Sequence, residues 1–226
     1  YDIKNALEII QNDNDTNTIV YTSPEFQPYS DTFSDKYVFV GPSIPSTNNV
    51  FEKTREKLIY ISMGTVNNDM TVFYKNCIDA LKDSDYQVVL SVGSQVDIKQ
   101  LENYVIKSKG KAQFHVFPYV NQIAVLKKAD AFITHCGMNS VSEALYFKVP
   151  LVMYPQTNEQ KGVAFRVNEL EAGLYLSGDS ISEIQIILKE LLQQSKYKEQ
   201  ATAISNSFSK CGGSKAAVEK ILDVCS

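Results

Sequence analysis

Ala131-Phe132-Ile133-Thr134-His135-Cys136-Gly137-Met138-Asn139-Ser140-Val141-Ser142-Glu143 runs from an apolar segment through small polar residues and a glycine into a helical pattern. That order reads as a β-strand, a tight turn and a helix N-terminus. Backbone N–H groups at such an end lack intrahelical partners, and the helix dipole attracts anions. No Lys or Arg lies in the stretch, so a phosphate here would be held by amides, Asn139, Ser140 and His135. Glu143 falls one turn into the helix, on the face of Ser140. An uncovered carboxylate repels phosphate, so it is better explained by two neighbouring hydroxyls, as on a ribose. The stretch points to a nucleoside diphosphate with its sugar. A plainer reading stands beside it. Ser140-x-x-Glu143 has the spacing of a capping box, Asn139 is itself a good cap, and His135 fits a strand terminus.

On either side of this stretch, strands and helices alternate. Leu58–Ser62, Val88–Val92, Gln113–Phe117, Ala131–Thr134, Leu151–Tyr154 and Leu174–Leu176 read as strands. Helices are expected at the Phe73, Cys77, Ile78 and Leu81 stripe, at 99–108, 123–128, 141–147 and 162–171, at the Ile184–Leu192 stripe, and twice within 196–225. Such alternation implies an α/β fold, a parallel sheet with both faces covered and ligands beyond the carboxyl ends of its strands. Upstream, Ala6, Leu7, Ile9 and Ile10 read as the end of a helix. Strands at Thr18–Tyr21 and Tyr37–Val40 follow, the second stopped by Gly41-Pro42. Pro42, Pro45 and the small polar residues up to Asn49 mark a linker at 43–49. Residues 1–42 are then the tail of one domain, and 50–226 form another.

Composition narrows the classes. The chain has 226 residues, 44% hydrophobic and 21% charged, as in ordinary globular proteins. A net charge of -4 without a basic stripe excludes a nucleic-acid partner. No apolar run is long enough to span a membrane. The four cysteines are widely spaced and form no CxxC pair, so they read as free thiols of a cytoplasmic, reducing location. With two histidines, zinc is not expected. The chain begins at Tyr1, without a signal peptide, and is expected to be part of a longer protein.

Three more loops fall at strand ends. Ser62-Met63-Gly64-Thr65 follows the first strand of the larger domain; Gly64 permits close backbone approach and Thr65 offers a hydroxyl or a helix cap. In Pro118-Tyr119-Val120-Asn121-Gln122, Tyr119 is placed to stack on a base or to lie half-buried in a loop. In Pro155-Gln156-Thr157-Asn158-Glu159-Gln160, Glu159 and Gln160 suit sugar hydroxyls or a solvated first helical turn.

The order and spacing of these pieces decide between the readings. Residues 117–172, FPYVNQIAVLKKADAFITHCGMNSVSEALYFKVPLVMYPQTNEQKGVAFRVNELEA, carry the densest similarity. The chain resembles the donor-binding half of the UDP-dependent family 1 glycosyltransferases, and within them the bacterial macrolide glycosyltransferases. The resemblance implies the C-terminal domain of a two-domain GT-B enzyme, a Rossmann-like doubly wound parallel sheet. It implies that Gly64 and Thr65 line the pyrophosphate loop. Tyr119 would stack on uracil, Val120 would bond its edge through the backbone, and Gln122 would reach toward the nucleoside. His135, Gly137, Asn139 and Ser140 match the diphosphate contacts, and Glu143 the carboxylate that bridges two ribose hydroxyls. Glu159 and Gln160 match the pair that binds the transferred sugar. The implied partners are a UDP-sugar, a small-molecule acceptor such as a macrolide or phenolic, and an N-terminal acceptor domain. No cofactor or metal is implied.

The chain departs from the family in places. Asn121 stands where proline is usual, Tyr119 where many members have tryptophan, and Lys148 where glycine is common. The family's catalytic base is a histidine of the N-terminal domain. His115 lies within an expected strand and His135 is matched to the phosphates, so no catalytic residue is expected here. A nucleotide-sugar-binding module that works only with a partner chain, and a UDP-sugar epimerase, are the alternative functions. Asp13-Asn14-Asp15 and Asp83-Ser84-Asp85 have the spacing of a metal-binding DxD but read as solvated turns. Gly212-Gly213-Ser214-Lys215 reads as a helix break rather than a P-loop.

Overall fold

A computed structural model describes residues 17–64 and 70–225. The expected helix end at Ala6–Ile10 and the Asp13–Asp15 turn lie outside the described residues. Two compact units are present, one comprising 17–44 with 206–225 and the other 45–205. The boundary expected at 43–49 contains the changeover near Ile44, and residues 206–225 group with 17–44.

In the smaller unit, β1 (Thr18–Val20) pairs in parallel with β2 (Tyr37–Phe39). Ser23 Oγ and Ser207 Oγ share a buried hydrogen bond of 2.8 Å, and the rings of Phe26 and Phe208 meet edge-on at 5.8 Å. Gly41 has φ +77, and a Cβ there would come within 2.6 Å of the Phe208 carbonyl oxygen. The Gly-Pro stop therefore serves a close backbone approach as well as ending a strand.

The larger unit runs β3 (Leu58–Ser62), α1 (Thr71–Leu81), β4 (Gln87–Ser91), α2 (Ile98–Ser108), β5 (Gln113–Phe117), α3 (Gln122–Leu126) and β6 (Ala131–Thr134). It continues through α4 (Met138–Tyr146), β7 (Leu151–Met153), α5 (Asn158–Glu169), β8 (Gly173–Tyr175), α6 (Ile181–Gln193) and α7 (Ser195–Lys210), whose last turn joins the smaller unit. Helix α8 (Gly213–Cys225) completes the chain. Gly212 and Gly213, at φ +84 and +63, break the path between α7 and α8. All pairings are parallel and the sheet order is β5-β4-β3-β6-β7-β8.

This order follows from the pattern of side chains. β3, β4 and β6 are buried along their whole lengths, as parallel strands covered on both faces must be. Ile59, Ile61, Val88, Leu90 and Ile133 pack in one core with the apolar stripes of α1 and α6. Each such side chain stabilises the fold by roughly 1.5–3 kcal/mol when fully buried. The alternate residues of β3 face the other way, where Tyr60 stacks on Phe132 at 4.6 Å and reaches Gln122 of α3. Helices α4 and α5 begin three and four residues earlier than periodicity indicates, at Met138 and Asn158. The chain turns helical as soon as it leaves the strand loop, before the apolar stripe starts.

The sheet reverses its winding between β3 and β6. Chain leaving these two strands diverges to opposite sides and opens a crevice above their carboxyl ends. The Asp83–Asp85 turn precedes β4, at the amino ends of the strands and so opposite the crevice.

Candidate functional site

A cavity of about 850 Å³ lies over that crevice. Gly64, Tyr119, Val120, Gln122, His135, Gly137, Asn139, Ser140, Glu143, Glu159 and Gln160 all line it. Thr65 lies outside the described residues. Four strand-to-helix loops converge here, as the parallel topology requires. None of the described residues lining the cavity is Lys or Arg.

The β6–α4 loop is shaped by its own short-range bonds. Cys136 takes φ +68, and its N–H donates to Thr134 Oγ1 at 3.2 Å. Gly137 is the N-cap of α4 and supplies no side chain to it. The first intrahelical bond runs from Val141 N–H to the Gly137 carbonyl at 3.0 Å. The amides of Met138, Asn139 and Ser140 therefore precede the helical ladder with no side-chain cap. Ser140 and Glu143 sit inside the helix, so the capping box that their spacing allows does not form.

His135 projects between two glycines. A Cβ on Gly64 would lie 2.7 Å from His135 Nε2, and one on Gly137 2.8 Å from the same atom. Gly64 also has φ +83. Both positions need glycine for the ring to sit where it does. His135 Nδ1 is buried without a hydrogen-bond partner among the described residues. Burial lowers the imidazole pKa from its ordinary value, against opposing influences from the adjacent Ser62 backbone and the Glu159 carboxylate. The ring is thus neutral near pH 7 and carries one N–H.

Glu143 is held by α3. Gln122 Nε2 donates to Glu143 Oε2 at 2.6 Å and to Ser140 Oγ at 3.2 Å. Tyr60 Oη donates to Gln122 Oε1 at 3.1 Å. Burial pushes the Tyr60 phenol up to about 12, opposed by the Ser62 and Ser91 hydroxyls beside it, while the Glu143 charge adds to the rise. The Gln122 side chain, expected to reach the nucleoside, is thus engaged with the carboxylate beside it.

The other two loops carry their own caps. Asn121 Oδ1 accepts from Ala124 N–H at 3.0 Å, and its Nδ2 donates to Thr47 Oγ1 at 3.0 Å. Asparagine at this usual proline position thus starts α3 by capping it. Tyr119 is 56% exposed at the rim of the cavity. Thr157 and Gln160 form a capping box on α5, and Gln160 Oε1 accepts from Gln156 N–H at 2.8 Å and Thr157 N–H at 3.2 Å. Gln160 borders the cavity with its amide oxygen already engaged, whereas exposed Glu159 stands in the first turn.

Tyr60, Ser62, Ser91, Met138, Gln156 and Thr157 also line the cavity without having been singled out in the sequence. Tyr60 carried a usable signal. It sets a hydroxyl between Ile59 and Ile61 in an interior strand, and a buried tyrosine hydroxyl requires a partner. His115 lies in β5 stacked beside Phe117 and is not among the described residues lining the cavity. Lys148 takes φ +63, which explains why glycine suits that turn.

A doubly wound parallel sheet with uncapped helix amides, a histidine and a tethered carboxylate at its winding reversal defines an α/β domain whose candidate ligand site lies in that crevice. Residues 58–217 match the model of the Glycosyltransferase family 28 C-terminal domain, and the chain belongs to that family. It is 38% identical over 233 residues to an uncharacterized UDP-glucosyltransferase, YojK, of Bacillus subtilis, covering 98% of this chain and 55% of that protein. It is 36% identical over 209 residues to the NDP-glycosyltransferase YjiC of the same species, covering 90% and 52%. The crystal structure of CalG4, the calicheamicin glycosyltransferase, superposes with a TM-score of 0.82 at 26% identity, over 91% of this chain and 51% of that one. Family and fold together identify the C-terminal half of the GT-B architecture, as the resemblance implied. The chain spans about half the length of the curated relatives it matches. Among the described residues no helix is long and apolar enough to cross a membrane, and no group of His, Cys, Asp and Glu is placed to hold a metal ion.

Proposed function

We propose that this chain is the UDP-sugar-binding part of an inverting glycosyltransferase that transfers a hexose, glucose by preference, to a hydroxyl of a small, largely apolar acceptor. The observation that carries the reading is the uncapped start of α4 beside His135, with the Glu143 carboxylate one turn further on. The amides of Met138, Asn139 and Ser140 and the imidazole N–H suit a diphosphate, and Glu143 suits the ribose hydroxyls. Tyr119, half exposed at the rim, offers a face for uracil. Glu159 is the free carboxylate nearest in sequence to the α5 cap and suits the hydroxyls of the transferred sugar. The names of the relatives, a UDP-glucosyltransferase and a calicheamicin glycosyltransferase among them, support a UDP-sugar donor and a small-molecule acceptor.

In the proposed reaction an acceptor hydroxyl loses its proton to a base supplied by the acceptor domain. The alkoxide oxygen attacks the anomeric carbon from the face opposite UDP. The bond between that carbon and the β-phosphate oxygen breaks, and UDP leaves with the electron pair. The α4 amides and His135 stabilise charge as it builds on the β-phosphate. The reaction proceeds on the protein's own dipoles and needs no metal.

UDP titration by calorimetry tests the reading. Glu143→Ala removes charge-assisted hydrogen bonds worth roughly 1.5–3 kcal/mol each, so UDP affinity is expected to fall at least about tenfold. An affinity equal to that of the unmodified chain would reduce Glu143 to a helix residue held by Gln122.

A further inference from the structure

The chain of hydrogen bonds behind Glu143 has a consequence for which nucleotides the cavity accepts. Gln122 can present its amide to Glu143 in two ways. With Nε2 forward it donates to Oε2; reversed, it would set its own oxygen against a carboxylate, acceptor facing acceptor. The forward arrangement leaves Oε1 of Gln122 turned inward, and that atom needs a donor. Tyr60 Oη supplies it at 3.1 Å. The tyrosine is a firm donor. Its side chain is buried in the sheet, and its ring is stacked on Phe132 at 4.6 Å with 18° between the planes. The Ser140 hydroxyl, 3.2 Å from Gln122 Nε2, takes a further bond of the same amide. Both ends of Gln122 are thereby held, and Glu143 Oε2 is pinned at 2.6 Å. Oε1 of Glu143 is left without a protein partner among the described residues, on a side chain that borders the cavity.

Resting on the assignment of Glu143 to the ribose, we propose that Tyr60 is a positioning residue that sets ribose-over-deoxyribose selectivity, acting through Gln122 to hold Glu143 in place for the 2′- and 3′-hydroxyls. Tyr60 touches no ligand in this scheme. Its hydroxyl locks the amide, the amide locks the carboxylate, and the carboxylate reads two hydroxyls whose spacing is fixed by the sugar. A loosened carboxylate can still meet one hydroxyl but no longer holds both in register. The loss therefore falls on nucleotides that carry the 2′-hydroxyl and spares those that lack it.

The experiment compares UDP with 2′-deoxyuridine 5′-diphosphate by calorimetry on the unmodified chain, Tyr60→Phe and Gln122→Ala. Tyr60→Phe keeps the ring on Phe132 and removes only the donor, and thermal melting and circular dichroism verify the fold. The unmodified chain is expected to prefer UDP at least about tenfold, one charge-assisted bond's worth. Tyr60→Phe should weaken UDP about three- to tenfold while the deoxy compound changes by less than about twofold, which narrows the preference. Gln122→Ala should narrow it likewise, and the double variant should add little more, because the residues act in series. Equal weakening of both nucleotides by Tyr60→Phe would mark a general structural role and overturn the proposal. So would a preference left intact. If the unmodified chain binds both nucleotides equally, the assignment of Glu143 to the ribose is itself wrong, and the proposal falls with it.

Discussion

Helices α4 and α5 are alike at one end and opposite at the other. Both finish in the same device. Lys148 N–H bonds the Leu145 carbonyl and Val149 N–H the Ala144 carbonyl, each at 2.9 Å; Glu171 and Ala172 repeat this on Asn168 and Val167, each at 3.0 Å. Lys148 and Glu171, at φ +63 and +52, occupy the left-handed position usually given to glycine. At their starts the helices part company. α5 closes its first turn with the Thr157–Gln160 box, whereas α4 begins on Gly137 with no side-chain cap. Asp97, Asn121 and Ser180 likewise cap α2, α3 and α6. Of the helices after the two strands at the winding reversal, α4 has no side-chain cap, while residues 65–69 ahead of α1 lie outside the described ones. The start of α4, to which the proposed diphosphate is assigned, thus keeps its first amides clear of a side-chain acceptor, while α3 and α5, whose loops also border the cavity, provide their own.

The sharpest way to break this contrast is to crowd the open end. Gly64→Ala would set a methyl 2.7 Å from His135 Nε2, on a backbone with φ +83. Left-handed strain and overpacking together cost about 2–4 kcal/mol, so UDP affinity should drop at least about 30-fold and the melting temperature should fall. Affinity like that of the unmodified chain would show that the position of His135 is immaterial to the diphosphate. A smaller effect is expected at the closed end. Thr157→Ala should lower stability by about 1 kcal/mol in denaturant titration and alter UDP affinity by less than about twofold. A tenfold loss of affinity at unchanged stability would make α5 a second open end. The mildest change concerns the shared C-terminal device. Lys148→Gly relieves a left-handed residue but adds freedom to the unfolded chain, so the net gain should be at most about 1 kcal/mol, with UDP binding untouched. Tighter or weaker binding in that variant would couple the two ends of α4.

The strands and their order of appearance could be read directly, because strands covered on both faces are continuous apolar runs such as Leu58–Ile61 and Ala131–Ile133. Periodicity sets the starts of α4 and α5 too late, since both turn helical before their apolar stripes begin. The loops holding His135, Gly137 and Ser140 could be located because glycines and small polar residues cluster where strands end. Tyr60 is hidden in the sequence because an aromatic residue in a buried strand fits the core pattern, and its hydroxyl contact with Gln122 is what separates it from Phe132. The roles of Gly64 and Gly137 in making room for the imidazole were equally hidden, as they depend on a ring reached from two different loops.

Periodicity and turn chemistry, both local properties, were enough to determine an alternating α/β chain with its informative residues at strand ends. They could not tell which Ser/Thr-x-x-Glu/Gln pair would close on itself. Ser140-x-x-Glu143 and Thr157-x-x-Gln160 are equivalent along the chain, yet only the second caps its helix. The first is displaced because α4 already starts at Gly137, and because Gln122, 21 residues upstream, donates to the Glu143 carboxylate. Such bonds depend on which strands become neighbours. That is a property of the assembled sheet and not of any one segment.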